Sequence, residues 1–392
     1  MKICFITNTI FNLGGVQRVV SVLASALSEF HEVHVLCTMD DYDINRKIYN
    51  LSNEVKVVLK GDLFITNFNK RIICKLGKII NNRTMLLNKP ERVDILTEIY
   101  FPTEVKEKFI SFLNSSGYDV VIGVEGYYSL LLGCISDMLN MKVIGWQHNS
   151  YDGYLNNPHR YHWHQDELFN KLIPKLNKYI VLTDYDKEMF LKWNNLKCDV
   201  IYNPKSFESS EKSKLQNKIF LAAGRFTYQK GFDLLIDSFA EFCRYNNEWK
   251  LMLVGAGEEE NNLRKRIKKY GLEARVELHG FTDKIKEYLL NSSALLLSSR
   301  WEGMPMIVLE AMEMAVPIIS YKIPAAEQLI NHGHEGYLVD NFDIKSFAEE
   351  MLKLAGSYEL RLRLSEKALE RSKNFCICNI VEKWRSMLET LK

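Results

Sequence analysis

At 392 residues, with 47% hydrophobic and 26% charged side chains, the chain is too long for one hydrophobic core and too apolar to be disordered, so two folded domains are expected. Its 51 basic and 49 acidic side chains leave a formal net charge of +2, which excludes a global field for wrapping nucleic acid or capturing an acidic partner. The opening run Met1-Lys2-Ile3-Cys4-Phe5-Ile6 is strand-length and too short for a signal peptide, and the most membrane-like stretch, 120–141, is broken by Glu125 and Asp137, so a cytoplasmic location is expected.

Along the chain, short continuous apolar runs alternate with longer amphipathic segments, the pattern of βα units around parallel strands buried on both faces. In the first half the runs predict strands at 2–6, 32–37, 55–59, 120–124, 143–146 and 178–182, with helices at 16–30 and 103–114. A polar stretch, 203–217, contains Pro204 and many Ser, Lys and Glu residues and reads as a linker. The rhythm then restarts: strands are expected at 219–224, 250–254, 276–279, 294–298 and 317–320, and helices at 232–244, 260–270, 285–291, 307–314 and 344–355. The domain boundary is therefore expected near residue 203. The fold class is α/β, two Rossmann-like doubly wound domains that face a central cleft, with ligand chemistry in the loops that follow the strands.

The eight cysteines (Cys4, Cys37, Cys74, Cys134, Cys198, Cys243, Cys376, Cys378) mostly interrupt apolar runs, where Cys behaves as a small buried hydrophobe, and a reduced compartment fits them. Cys376 and Cys378 form the one close pair; their spacing does not suit a metal site, and plain packing is expected.

Four segments carry chemistry. Gly14-Gly15 opens the first helix, where backbone amides and the helix dipole can receive a phosphate, or where a tight turn simply needs glycine. Gly224-Arg225 to Lys230-Gly231 follows the first strand of the second domain and sets two cations across one turn, a fork and a point charge suited to a diphosphate or to plain solvation. Gly255-Ala256-Gly257 lacks the third glycine of a dinucleotide fingerprint, because Glu260 stands in its place. In Glu302-Gly303-Met304-Pro305-Met306-Ile307-Val308-Leu309-Glu310, two carboxylates bracket a helix start near Pro305; carboxylates accept from paired hydroxyls, and free helix-start amides suit phosphate. Two D-x-D triplets, Asp41-Tyr42-Asp43 and Asp184-Tyr185-Asp186, lie away from these loops and read as polar loop acids, so no metal is expected.

The segment from Glu302 to Glu310 resembles the E-x7-E signature of retaining glycosyltransferases of family 4, which have the GT-B fold. Gly14-Gly15-Val16-Gln17-Arg18, the loop from Gly224 to Gly231, and Leu253-Val254-Gly255-Ala256-Gly257 resemble that family's other turns in the same order. The resemblance spans nearly the whole chain, being strongest over 219–340 and weak over 40–115. It implies an acceptor-binding domain at 1–202, with the helix of 375–392 packing back on it, and a donor-binding domain at 203–374. It further implies that Arg225 and Lys230 hold the donor diphosphate, Glu310 the ribose, and Glu302 a hydroxyl of the transferred sugar. Gly303, Met304, Pro305 and Met306 would hold sugar and phosphate, Gly255 and Phe281 would border the base, and Gly14, Gly15 and Gly224 would line the donor. His148, just past a strand, matches a family histidine near the anomeric centre.

The activity that the resemblance implies is hexosyl transfer from a nucleotide sugar, by family habit a UDP-sugar, to a glycan acceptor, with retention, in surface polysaccharide or lipopolysaccharide synthesis. No cofactor, metal or nucleic acid is implied. A nucleotide-sugar epimerase, a phosphorylase and a non-catalytic sugar-nucleotide-binding protein are the competing readings. Residues 60–92 hold eight cations and two acids interleaved with Phe and Ile, a composition that suits either a solvated helix or one lying on an anionic membrane at the inner face of the cell membrane. The acceptor in the second case is lipid-linked.

Overall fold

The computed structural model describes residues 1–41 and 43–391. The chain divides into two compact units: one is Met1–Tyr202 together with the C-terminal helix, and the other is Asn203–Cys376.

In the first unit, β1 (Lys2–Thr7), β2 (Glu32–Cys37), β3 (Lys56–Leu59), β4 (Val120–Val124), β5 (Lys142–Trp146), β6 (Lys178–Val181) and β7 (Asp199–Val200) form one parallel sheet in the order β3-β2-β1-β4-β5-β6-β7. The order reverses between β1 and β4, which opens a crevice at the carboxyl ends of those strands. Helices α1 (Gly15–Leu27), α2 (Phe68–Thr84), α3 (Val93–Tyr100), α4 (Thr103–Ser115), α5 (Glu125–Ile135), α6 (Asp166–Leu172) and α7 (Asp184–Asn194) connect the strands. The membrane-like stretch resolves into β4 and α5, and α5 is buried on nearly every face, which explains its all-round hydrophobicity.

In the second unit, β8 (Ile219–Ala223), β9 (Lys250–Val254), β10 (Val276–His279), β11 (Ala294–Leu297), β12 (Ile318–Tyr321) and β13 (Gly336–Val339) are parallel in the order β10-β9-β8-β11-β12-β13, with the reversal between β8 and β11. Helices α8 (Phe232–Phe242), α9 (Glu260–Lys269), α10 (Ile285–Leu290), α11 (Met306–Glu313), α12 (Pro324–Leu329), α13 (Ile344–Gly356) and α14 (Tyr358–Ser372) surround it. Both units are thus Rossmann-like and doubly wound. The strands that sequence periodicity does not predict are β7, only two residues long, and β13, which starts at a glycine after a polar turn.

The last helix, α15 (Ile377–Glu389), belongs to the first unit. Its Trp384 is fully buried, with its ring 4.9 Å from Trp146 and 6.5 Å from Phe5, and Arg385 lies 4.1 Å over the Phe30 ring. Residue Lys392, the end of the expected segment, lies outside the described residues. Cys376 and Cys378 are disulfide-bonded, a departure from the expected plain packing. They flank Ile377, the first residue of α15, whose core-facing positions are taken by Ile380, Val381 and Trp384. Burial pushes the Cys4 thiol up to about 12 and the Cys37 thiol to about 11, as inert core thiols require.

The segment 203–217 is not a free linker. Lys205 and Lys212 each place Nζ 2.6 Å from a carboxylate oxygen of Glu313 on α11, Ser209 N donates to the same carboxylate at 3.0 Å, and Leu215 is buried. Burial works against the Glu313 anion, but these donors outweigh it and hold its pKa below the usual carboxylate value. Polar composition concealed the packing because the partners of these lysines lie about a hundred positions away. Glu313→Ala should strand the 7%-exposed Lys205 side chain and cost about 3 kcal/mol, read as a fall in denaturation midpoint at constant m. A change below about 0.5 kcal/mol would show that water or Glu208 replaces the lost partner.

Candidate active site

At the carboxyl end of the second sheet the loops are bonded to one another. Gly224 N donates to the Val254 carbonyl (3.0 Å), Phe226 N to Ala256 (2.9 Å) and Glu259 N to Phe226 (2.9 Å), while Gly255 N reaches His279 at 2.9 Å. A Cβ on Gly255 would run into the Gly224 carbonyl oxygen, so the close approach of the β8 and β9 loops requires glycine there.

Across the reversal point, the loop after β8 is fastened to the loop after β11. Arg300 N donates to the Gln229 carbonyl at 2.7 Å, Gln229 Nε2 to the Trp301 carbonyl at 2.9 Å, and Ser298 Oγ to the Lys230 carbonyl at 3.0 Å. The Arg300 guanidinium grips both Asp233 oxygens at 2.9 and 2.8 Å, donates to the Tyr228 carbonyl at 2.6 Å, and lies 3.9 Å over the Tyr228 ring. Burial alone would raise the Asp233 pKa, but Arg300 lowers it on balance. Arg300, part of no recognised motif, is therefore the clamp that positions both loops. Its signal in the sequence is only that it follows a strand.

The consequence is that Lys230 Nζ and Glu302 Oε1 meet at 2.5 Å, and Ser299 Oγ donates to the same oxygen at 2.6 Å. Lys230 is partly accessible and Glu302 is 8% exposed. An ammonium has three donors, so Lys230 can hold Glu302 and a second anion at once. Arg225, at the tip of the β8 loop, is exposed. Gly224 and Lys230 lie together, since a Cβ on Gly224 would come 3.2 Å from Lys230 Cε.

Glu310 lies on α11, 3% exposed, and accepts from Ser206 Oγ at 2.6 Å. Gly303, Met304 and Pro305 are buried, and Met306 is the first residue of α11. Pro305 has no N–H, and amides in the first turn of a helix have no intrahelical acceptor, so the helix start offers donors. Phe281, 43% exposed, follows β10 at the outer side of these loops. The structure thus brings Gly224, Arg225, Lys230, Gly255, Glu302, Gly303, Met304 and Pro305 onto adjoining loops of one sheet edge, with Met306 and Glu310 on the helix α11 that follows. Ser206 is the partner that sequence reading missed, because it falls in the segment read as linker.

Gly14, Gly15 and His148 lie in the first unit. Gly14 N donates to Tyr49 OH at 2.7 Å, and α1 begins at Gly15. His148 packs 4.1 Å from the Trp146 ring, is 9% exposed, and has a buried Nε2 with no partner among the described residues. Burial drives its pKa from 6.5 down to about 3, so it is a neutral imidazole at working pH. Glu125, directly after β4 at the reversal point, holds φ 72°, where a side chain is strained, and its carboxylate accepts from Tyr154 OH. Sequence reading counted Glu125 only as an interruption of a hydrophobic run.

Of the two D-x-D triplets, Asp186 is buried and receives Tyr151 N at 2.7 Å and Thr183 Oγ1 at 2.7 Å, a helix-capping arrangement at α7. Tyr42 of the other triplet lies outside the described residues. A cavity of about 770 Å³ lined by Tyr118, Asp119, Lys142 and Lys175 opens at the amino-terminal ends of β4 and β5, the wrong edge for a ligand of a parallel sheet.

The loops just described fall inside residues 205–371, which match the family model of group 1 glycosyl transferases. The chain is 33% identical over 241 residues to the amylovoran biosynthesis glycosyltransferase AmsD of Erwinia amylovora, covering 57% of this chain and 67% of that protein. It is 25% identical over 401 residues to an alpha-1,4-N-acetyl-D-galactosaminyltransferase of Campylobacter jejuni whose name gives a diNAcBac-PP-undecaprenol glycan as acceptor, covering 100% of this chain and 99% of that one. The crystal structure of Anabaena HepE in complex with UDP has the same fold, with a TM-score of 0.73 at 18% identity, covering 100% of both chains. Sheet order, the loops at the β8/β11 reversal and these likenesses agree: the chain belongs to the group 1 glycosyltransferases.

Proposed function

We propose that the chain moves a hexose or N-acetylhexosamine from a nucleotide sugar, by preference a UDP-sugar, to a hydroxyl of a lipid-linked glycan. The anomeric configuration is retained, and the product serves a surface polysaccharide or lipopolysaccharide. The observation that carries this reading is the Lys230–Glu302 pair at the β8/β11 reversal, beside the exposed Arg225 and the helix start that leads to Glu310. The lipid-linked acceptor of the Campylobacter jejuni relative and the UDP bound to the Anabaena structure support the same choice of partners.

On this reading Arg225 and Lys230 meet the charge that develops on the departing diphosphate, and their work is prearranged because the loops are already fastened. Glu302 takes a hydroxyl of the sugar, Glu310 takes the ribose hydroxyls, and the amides from Gly303 to Met306 hold the sugar and phosphate oxygens. Gly255 and Phe281 border the base. In the first unit, Gly15 at the start of α1 offers its amide to an anion beside Gly14, whose own N–H is held by Tyr49, and neutral His148 offers a hydrogen bond to substrate. Two side-chain cations and a helix start supply the compensation that other transferases draw from a metal, so the reaction needs none.

Donor hydrolysis and thermal shift across UDP-, GDP- and ADP-sugars test the proposal, and activity should survive excess chelator. A chain that neither turns over nor is stabilised by any of these sugars ends the transferase reading; loss of activity in chelator ends only its metal-free form. Glu302→Ala should lower kcat by about a hundredfold or more while leaving the nucleotide Kd within about threefold. Glu310→Ala should instead weaken nucleotide binding by about tenfold, and the reverse pattern would overturn the division of labour. Because burial lowers the His148 pKa to about 3, the neutral form is present throughout the working range, and kcat/KM should show no limb near 6.5 from this residue. A limb there that disappears in His148→Asn would make it an acid or base.

A further inference from the structure

Helix α2 is built inside out. Its inner stripe is narrow and small or polar: Cys74 and Asn81 are buried, and Gly77 lets α3 approach so closely that a Cβ there would meet Ile99 Cδ1 at 2.6 Å. The stripe is fixed by specific bonds, since Asn81 Nδ2 donates to the His164 carbonyl at 2.7 Å and Lys70 pairs with Glu98 at 2.6 Å. Lys78 also turns inward, its Nζ 4.9 Å from the centre of the Tyr100 ring.

The opposite face carries the large apolar side chains. Phe68 is 75% exposed, Ile73 60%, Leu76 54%, Ile80 49%, Ile72 42% and Ile79 40%. Phe68, Ile72, Leu76 and Ile79 recur at helical spacing and share one side of the helix. A surface helix ordinarily turns such a stripe toward the core, and a contiguous exposed one marks a surface that something covers. Exposed Arg71 and Lys75 flank it, and the helix contains no carboxylate.

We propose that this face of α2 docks on the surface of an anionic lipid bilayer. Apolar side chains enter the acyl boundary while Arg71 and Lys75 meet the headgroups, the arrangement of an in-plane interfacial helix. Charge selects this occupant over a second copy of the chain, because a two-fold contact through α2 sets Arg71 and Lys75 of one copy against the same cations of the other. The inference goes beyond the transfer reaction, and its readout is binding rather than turnover.

Co-sedimentation of the full chain with phosphatidylcholine vesicles, with and without phosphatidylglycerol, tests it. The protein should sediment with the anionic vesicles and be released by salt. Arg71→Gln with Lys75→Gln should lower the partition coefficient about 30-fold, and Phe68→Ser with Leu76→Ser should abolish sedimentation. These side chains are exposed, so thermal unfolding and hydrolysis of a soluble nucleotide sugar should match the parent protein. As an independent readout, Phe68→Trp should show a blue-shifted emission on anionic vesicles only. Sedimentation unchanged in both pairs of variants, no binding by the parent protein, or a dimer that Phe68→Ser with Leu76→Ser dissociates would each overturn the proposal.

Discussion

The ion pair between Lys230 and Glu302 joins two loops that leave neighbouring strands in diverging directions. Its position is set by the β8/β11 reversal, where connecting helices pass to opposite faces of the sheet and leave a crevice between them. Mostly buried charges gain little net stability from pairing, because desolvation consumes most of the Coulomb attraction. The loops are held instead by neutral and charge-assisted bonds through Arg300, Gln229 and Ser298, and those bonds oblige the two charges to face each other. A carboxylate and an ammonium kept together at a strand edge form a preset polar centre able to meet a hydroxyl and a phosphate.

Three glutamates within one stretch of chain acquire different work from their surroundings. Glu302 meets a single lysine that keeps donors to spare. Glu310 accepts from Ser206 at the buried side of α11. Glu313, one helical turn further, is saturated by Lys205, Lys212 and Ser209 and anchors the 203–217 segment to the second unit. Three donors on one carboxylate make Glu313 a structural anchor.

The first unit is organised around neutral groups. Tyr154, whose pKa burial raises well above its usual value, donates to the strained Glu125, and His148 is held uncharged against Trp146. That chemistry sits on the carboxyl edge of β4 and β5, whereas α2 turns its apolar face to solvent on the flank of the same unit. The polar groups at the sheet edge and the exposed apolar face of α2 thus belong to separate elements of the unit.

Periodicity alone determined the alternating βα architecture, because parallel strands buried on both faces must be continuous apolar runs. The bounds of β2, β4, β9 and β10 were legible to the residue. Glycine and charge just past strand ends likewise marked Gly224, Lys230 and Glu302, since a loop that brings backbones together needs glycine wherever it occurs, whereas Glu310, inside α11, was marked chiefly by the family resemblance. Tertiary structure decided what depends on partners distant in the chain. Lys205 and Ser206 read as linker residues until Glu313 and Glu310 lay beside them, and Arg300 was unremarked until Asp233 and Tyr228 received it. The helical period of α2 showed that it has two faces. Only the packing of Gly77 and Cys74 against α3 decided that the isoleucines face outward, because a sequence pattern fixes which residues share a side but not which side meets the core.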